Sequence, residues 1–262
     1  MSKMPALFIG HGSPTNTLEL NTFTREWRRL GEVMPRPRAI LVISAHWYIA
    51  GTAVTAMAHP RTIHDFYGFS DDLFEFQYPA PGLPDLAGEI AEFVKPNWIG
   101  LDREQWGLDH GTWSVLAHMY PKADIPVLQL SIDANRSFAY HIELGAKLAS
   151  LRDQGVLVLS SGNVVHNLRL LDWKNKTGGS TWAHHFDDAV EKIMTENPSE
   201  ILSAIEHQDY RKSVPTPDHF IPLLYSAGLA MEGGSISSMI KGYSMGSLSM
   251  TSYGVGLHEA GV

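Results

Sequence analysis

Thirteen histidines and the absence of cysteine limit the chemistry open to this chain of 262 residues. Imidazole is the commonest metal ligand in proteins and also the usual acid–base group near neutral pH. Without thiols, the sequence excludes a disulfide scaffold, a thiolate nucleophile, a cysteine-based zinc finger and an iron–sulfur cluster. Any bound metal must therefore be held by nitrogen and oxygen atoms.

Three histidines follow short apolar runs that are typical of buried strands. They are, with the run that each follows, His11 after residues 6–10, His46 after residues 39–44 and His166 after residues 156–160. Runs rich in β-branched residues and leucine suit a parallel sheet that is covered on both faces. The carboxyl ends of such strands open into one crevice. We therefore expect these imidazoles to converge, although any one of them alone would more often be a packing residue.

Two further histidines lie where a helix is predicted to begin. His110 is in the loop sequence DHGTW at residues 109–113, where it either faces a substrate or simply caps the helix. His219 falls in the first turn of a helix predicted to open at Thr216, where the helix dipole keeps an imidazole neutral enough to bind a metal. His64 is predicted to line a lid loop. The other histidines are assigned to surface or packing positions: His59, His118, His141, His184, His185, His207 and His258.

The elements that must position these residues alternate between strand and helix. A fourth apolar run covers residues 126–131, and helices are predicted at 16–33, 84–94, 137–154, around 182–193 and from 216 to 224. Residues 235–256 are predicted to add late, partly antiparallel strands. This pattern indicates an α/β fold in which residues 1–262 form a single domain, with a mostly parallel, mixed-edge central sheet and helices on both faces.

Composition and missing motifs exclude several other classes. A net charge of −8 gives no basic footprint for nucleic acid. No apolar run approaches the ~20 residues that cross a bilayer, and no signal peptide is predicted at the start, so we expect a cytoplasmic protein without a membrane partner. The chain lacks a dinucleotide fingerprint, a P-loop, a zincin motif and a nucleophile elbow.

Six ordered motifs together resemble the class III extradiol ring-cleavage dioxygenases over nearly the whole chain. They are GHGSP at 10–14, SAHW at 44–47, HDFYGF at 64–69, DHGTW at 109–113, SGNVVHNL at 161–168 and TPDH at 216–219. Within that superfamily the resemblance is closest to a bacterial branch whose substrates are DOPA-like catechols. It implies cleavage of a catechol ring by O₂ to a muconic semialdehyde, with a small aromatic diol and O₂ as the molecules bound.

The resemblance also implies a site. One divalent metal, Zn(II) or Fe(II), is expected on His11 and His46, with His219 where the wider superfamily has a carboxylate and His166 as a fourth ligand. Dioxygenase activity calls for Fe(II). His110 and His166 match the superfamily's acid–base histidines. The resemblance therefore implies two roles for His166, as a metal ligand and as an acid–base group.

Two other functions remain open from the residues alone. A zinc hydrolase acting on a small amide or ester would use the same histidines with a metal-bound water as nucleophile. A metal-binding protein without catalysis would present them in an open, solvent-exposed site. The sequence specifies neither the natural catechol nor the oligomeric state.

Overall fold

A mixed eight-stranded sheet forms the centre of the fold in a computed structural model that describes residues 3–262. Two further short strands form a separate hairpin. In chain order the strands are β1 (Ala6–Gly10), β2 (Ala39–Ile49), β3 (Ala53–Thr55), β4 (Gly100–Asp102), β5 (Val127–Asp133), β6 (Val156–Gly162), β7 (Ile236–Ile240), β8 (Tyr243–Ser244), β9 (Leu248–Ser249) and β10 (Ser252–Val255).

Helices cover both faces of this sheet. The α-helices are α1 (Thr22–Val33), α2 (Asp71–Glu75), α3 (Pro84–Phe93), α4 (His110–Met119), α5 (Phe138–Leu148), α6 (Thr181–Glu196), α7 (Tyr210–Ser213) and α8 (Ile221–Met231). Short 3₁₀ helices occupy Pro14–Thr17, Ala149–Gln154, Leu168–Leu170, Pro198–Glu206 and His258–Ala260. The predicted α/β fold class is confirmed, with a mostly parallel sheet between helices.

The sheet order is β4-β3-β5-β2-β6-β1-β10-β7, and its four central strands β5, β2, β6 and β1 are parallel. Antiparallel pairing of β10 with β1 and β7 confirms the late strands expected at 235–256. In register, Gly10 lies opposite Gly162 and Ser44 lies opposite Ser161. The ends of β1 and β2 therefore flank the end of β6, which brings the predicted strand-end histidines to one edge.

Successive side chains of the central strands point to opposite faces of the sheet, which explains why both faces are covered. In β1, Leu7 and Ile9 belong to the core packed under α1 and α4, whereas Phe8 belongs to the core packed under α5 and α8. All three side chains are fully buried. Each buried side chain of this size contributes roughly 1.5–3 kcal/mol, so the strands are held from both sides.

His46 lies within strand β2. The sequence pattern had placed it two residues after the end of a strand, and that position is wrong. Strand β2 continues past residue 44 to Ile49, and its register with β5 shifts between Ile43 and Tyr48. A local irregularity of this kind bends a strand and re-aims its side chains. The sequence pattern missed it because polar Ser44 and His46 resemble a strand end.

The helix predicted over residues 16–33 begins later, at Thr22. Asn21 caps it, because the Asn21 side chain accepts the backbone N–H groups of Phe23 and Thr24. Asn16 is used otherwise: its amide donates to the carbonyl of His11, and its own carbonyl accepts from His118. Residues 16–21 therefore brace the turn that carries His11 instead of extending the helix.

The helix predicted from Thr216 begins at Ile221, so the placement of His219 in its first turn is wrong. The backbone carbonyl of His219 accepts the N–H of Asn163 at 2.9 Å and is not used by the helix. The Thr216 side chain hydrogen-bonds to Asp218 instead of capping the helix. Since His219 precedes α8, the helix dipole does not account for the protonation state of its imidazole.

The other predicted elements fall close to the observed ones. The run at 126–131 is β5, the helix at 84–94 is α3, and the helix around 182–193 is α6. The helix at 137–154 is α5 followed by a 3₁₀ turn, which ends at Gly155 in the left-handed conformation. Among the described residues no helix combines the length and apolarity needed to cross a membrane. Met1 and Ser2, where no signal peptide was expected, lie outside the described residues.

A buried carboxylate attaches the β8–β9 hairpin to helix α6. Asp187 Oδ2 accepts the hydroxyls of Tyr243 at 2.9 Å, Ser249 at 3.0 Å and Thr251 at 2.7 Å. The hairpin also bears on the site, because Leu248 pairs with His166 in an isolated bridge. Asp187 thus helps to position the segment against which His166 lies.

Replacing Asp187 by Asn tests this carboxylate. Burial raises the pKa of Asp187 to about 6, although the three hydroxyls oppose the shift. Between about pH 4 and pH 6 the folded state keeps a proton that the unfolded chain has lost, so the carboxyl's contribution to stability falls as pH rises and levels off above pH 6. Relative to Asp187→Asn, the wild type should lose up to about 3 kcal/mol from pH 4 to pH 7 in denaturant unfolding.

The matched control is Glu196→Gln, which removes an exposed carboxylate from the same helix. Its stability difference from the wild type should show no change of this size between pH 4 and pH 7. A constant difference for Asp187→Asn as well would contradict the shifted pKa.

Candidate active site

Five histidines from distant parts of the chain meet at the carboxyl edge of the sheet. The ring centroid of His11 lies 5.0 Å from that of His46, 5.6 Å from that of His110 and 5.3 Å from that of His219. His166 stacks on His219 with centroids 3.5 Å apart. Every histidine that the sequence placed in the site is therefore brought into one cluster.

His11 and His46 face each other through their Nε2 atoms, which are 3.0 Å apart. In each ring the protein holds the other nitrogen. His11 Nδ1 lies 2.9 Å from Ser161 Oγ, whose own proton goes to the carbonyl of Gly111 at 2.6 Å, so Nδ1 is the donor. His46 Nδ1 lies 3.0 Å from Asp65 Oδ2. These contacts leave both Nε2 lone pairs directed into the cluster.

Asp65 also holds His110. Its Oδ2 accepts from His110 Nδ1 at 2.9 Å, and its Oδ1 accepts the His110 backbone N–H at 3.0 Å. Burial raises the pKa of Asp65, but hydrogen bonds from His110 and His46 lower it well below its usual range. Asp65 is therefore an ionised acceptor, and His46 and His110 carry their protons on Nδ1.

His219 is fixed by its sequence neighbour. Its Nδ1 hydrogen-bonds to Asp218, whose pKa is lowered overall by this contact despite burial. Its Nε2 is buried, and within the described part of the chain no hydrogen-bond partner reaches it. A buried ring nitrogen without a partner costs free energy unless a ligand satisfies it. This atom points to a bound cation.

The orientation of His166 separates it from His219. The two ring planes are within 4° of parallel at a centroid distance of 3.5 Å. An imidazole binds a metal through a lone pair that lies in its ring plane, and one ion cannot lie in two parallel planes this far apart. In this arrangement only one of the two rings is suitably oriented to be a ligand.

The donor set fits a divalent transition metal. Ring nitrogens of His11, His46 and His110 lie within 4.8 Å of one another. Two ligands that are each about 2.1 Å from an ion are at most about 4.2 Å apart, which the 3.0 Å separation of His11 and His46 satisfies. Imidazole suits zinc, iron, copper and nickel. The residues present therefore fit a metal.

Burial keeps most of these rings neutral. Desolvation and neighbouring histidines hold the pKa of His11 and of His166 well below the usual value. Burial, opposed in part by Asp65, lowers the pKa of His110 to about 4. Burial also lowers the pKa of His46, but the hydrogen bond to Asp65 and the charge of Asp109 raise it overall.

Helix α4 begins in the site because Asp109 caps it. The buried Asp109 carboxylate accepts Ser44 Oγ at 2.7 Å and hydrogen-bonds to Gln129. Gly111 follows, and a Cβ there would come within 2.5 Å of Ser44 Oγ and 3.0 Å of the His46 ring. Glycine is required at this position because helix and strand approach so closely.

The aromatic side chains near the histidine cluster have two different roles. Trp47 is buried and lies parallel to Trp106, with ring centroids 5.7 Å apart, so Trp47 packs the fold. Phe66 instead contacts His110 edge-on at 5.5 Å, beside Tyr67, which is 91% exposed. The apolar wall and the rim of the site therefore come from the 64–69 motif.

Sequence reasoning found all five histidines but missed the groups that orient them. Asp65, Ser161 and Asp218 were noted only as members of sequence motifs, with no role assigned to them. A usable signal was present for Asp218, because it adjoins His219 and metal-binding imidazoles commonly donate their second N–H to a carboxylate. His64, predicted to line a lid loop, hydrogen-bonds to the carbonyl of Phe76 at 2.9 Å.

The family described as the catalytic LigB subunit of aromatic ring-opening dioxygenase matches residues 4–256. The chain belongs to the LigB family. It is 49% identical over 259 residues to an Escherichia coli K12 protein named 4,5-DOPA dioxygenase extradiol, covering 97% of this chain and 96% of that protein. It is 35% identical over 260 residues to a Beta vulgaris protein of the same name, covering 94% of each.

Solved structures agree with this membership. The crystal structure of an Escherichia coli K12 protein described as uncharacterized matches with a TM-score of 0.86 and 44% identity, covering 97% of this chain and 100% of that one. This LigB-family protein is an extradiol ring-cleaving dioxygenase, a metal-dependent enzyme that acts on an aromatic substrate with O₂. The resemblance in its motifs is confirmed, and the hydrolase and non-catalytic alternatives are set aside.

Replacing Ser161 by Ala tests whether the protein aims His11. The change removes the acceptor of His11 Nδ1, and loss of such a partner commonly weakens metal binding 10- to 100-fold. We expect that loss in a Zn²⁺ competition titration, with the fold retained in circular dichroism. Ser160→Ala is the matched control, since Ser160 is equally buried and its hydroxyl has no partner among the described residues. Equal metal affinity in the two variants would contradict the assignment.

Proposed function

We propose that this enzyme cleaves a DOPA-like catechol by an extradiol route that depends on Fe(II), giving a muconic semialdehyde. The observation that carries the proposal is the pair of Nε2 atoms of His11 and His46, 3.0 Å apart with both Nδ1 atoms held by the protein. Relatives named 4,5-DOPA dioxygenase extradiol support the substrate class. Both oxygen atoms of O₂ enter the product, so no external reductant is needed.

We assign the metal to His11, His46 and His219. The buried Nε2 of His219 supports the third assignment, because it lacks a partner among the described residues. The ring centroid of His110 lies 5.6 Å from that of His11 and 3.9 Å from that of His46, but His110 adjoins the apolar wall of Phe66, which suits a residue that meets the substrate. Bound Fe(II) would supply the redox chemistry that joins an electron-rich ring to O₂. Zn(II) has no such redox chemistry.

His110 is assigned as a proton acceptor. Its Nδ1 proton is committed to Asp65, and its low pKa keeps Nε2 unprotonated at neutral pH. Nε2 accepts a hydroxyl proton from the catechol, and the adjacent Asp65 carboxylate stabilises the resulting imidazolium. The same atom returns a proton as the ring opens. The Phe66 ring lies edge-on to His110 on this side of the site.

His166 is assigned to proton transfer and not to the metal. Its ring lies parallel to His219, so it cannot share an ion with His219 without rotating. Its pKa is lowered by burial and by His219, which keeps the ring neutral at physiological pH. His166 thus stays available as a second acid–base group, and the fourth-ligand role is the outcome that its substitution tests.

Anaerobic loading with Fe(II), followed by DOPA or another catechol in air, tests the function. A yellow ring-opened product and consumption of one O₂ per catechol are expected, and the zinc-loaded protein should form none. His110→Ala and His166→Ala should keep metal affinity within a few-fold and lose most turnover. His11→Ala should lose the metal, because it removes a ligand.

Different results point to specific errors. No product from several catechols, with bound iron demonstrated, would overturn the proposed reaction. Full activity in His110→Ala would remove its role as proton acceptor. Loss of metal from His166→Ala as severe as in His11→Ala would make His166 a ligand.

A further inference from the structure

One carboxylate oxygen receives two imidazole N–H groups in this site. Asp65 Oδ2 lies 3.0 Å from Nδ1 of His46 and 2.9 Å from Nδ1 of His110. The two rings are close, with centroids 3.9 Å apart at an angle of 50°. They come from different elements, since His46 lies in β2 and His110 begins α4. Asp65 therefore contacts both rings at once.

The segment that carries Asp65 is itself anchored to α4 and to the loop before it. Thr62 pairs with Leu108 in an isolated bridge, and the N–H of Ile63 donates to the carbonyl of Leu108 at 2.7 Å. The indole of Trp113 donates to the carbonyl of Ile63 at 2.9 Å. A carboxylate placed on so well-fixed a backbone can hold two rings in narrow orientations.

We propose that Asp65 is a positioning residue that orients a metal ligand, His46, and a proton acceptor, His110, through the same oxygen atom. The part concerning His110 rests on the proposed function. The part about His46 predicts an effect on metal affinity, which can be measured without turnover. Removing the carboxylate should therefore weaken metal binding and lower the rate of the metal-saturated enzyme, two effects that a residue serving only one histidine would not produce together.

The wild-type protein gives the first test without any substitution. In the metal-free state, long-range ¹H–¹⁵N spectra of the imidazoles should show His46 and His110 as Nδ1–H tautomers, assigned through His46→Gln and His110→Gln. Asp65→Asn should shift both signals, whereas Ser161→Ala should shift that of His11. An Nε2–H tautomer at either His46 or His110 in the wild type would overturn the proposal.

Asp65→Asn gives the second test, because it is isosteric and removes the charge. We expect Zn²⁺ affinity to fall 10- to 100-fold in a chelator competition assay. At saturating Fe(II), kcat for catechol should fall at least tenfold with a smaller change in KM. Asp72→Asn, which removes an exposed carboxylate from the following helix, should match the wild type in both assays. Thermal unfolding of each metal-free variant reports whether the fold is kept.

A double substitution separates positioning from general damage. In a His110→Ala background, adding Asp65→Asn should still weaken Zn²⁺ binding but should leave the residual rate at saturating Fe(II) unchanged. A fall in only one of metal affinity and kcat in Asp65→Asn would overturn the shared role, as would no change in either. If the wild type cleaved no catechol, the spectra and Zn²⁺ titrations would still decide the His46 part.

Discussion

In four of the five imidazoles of this site, the protein binds one of the two ring nitrogens. Ser161 takes Nδ1 of His11, Asp65 takes Nδ1 of His46 and His110, and Asp218 takes Nδ1 of His219. With their protons fixed on Nδ1, the rings direct Nε2 lone pairs toward a common space. A buried cluster of such lone pairs is costly unless a cation or a substrate proton occupies it. This constraint makes the site both a metal site and a proton-accepting site.

The sheet provides the positions on which that constraint depends. Because β1 and β2 flank β6 in parallel register, the turn after Gly10, the irregular part of β2 and the end of β6 meet at one edge. The backbone of Met250 approaches Gly10 closely from the other side. A Cβ on Gly10 would come within 2.7 Å of the Met250 backbone. Segments distant in sequence thus reach one point at the edge of the sheet.

The sequence predicted the fold class and the five histidines well, because buried parallel strands leave continuous apolar runs and strand ends leave polar motifs. Errors arose where tertiary contacts override local preference. Thr216 has the side chain of a helix cap, yet it serves Asp218, and the carbonyl of His219 goes to Asn163. Asp65 escaped notice because its partners lie 19 and 45 residues away, a relation that only the folded chain reveals.

The position of the metal tests the central claim most directly. A crystal of the protein loaded anaerobically with Fe(II), measured at the iron absorption edge, should show one anomalous peak about 2.1 Å from Nε2 of both His11 and His46. A peak that contacts neither atom, or contacts that run through Nδ1, would contradict the account of how this site is built.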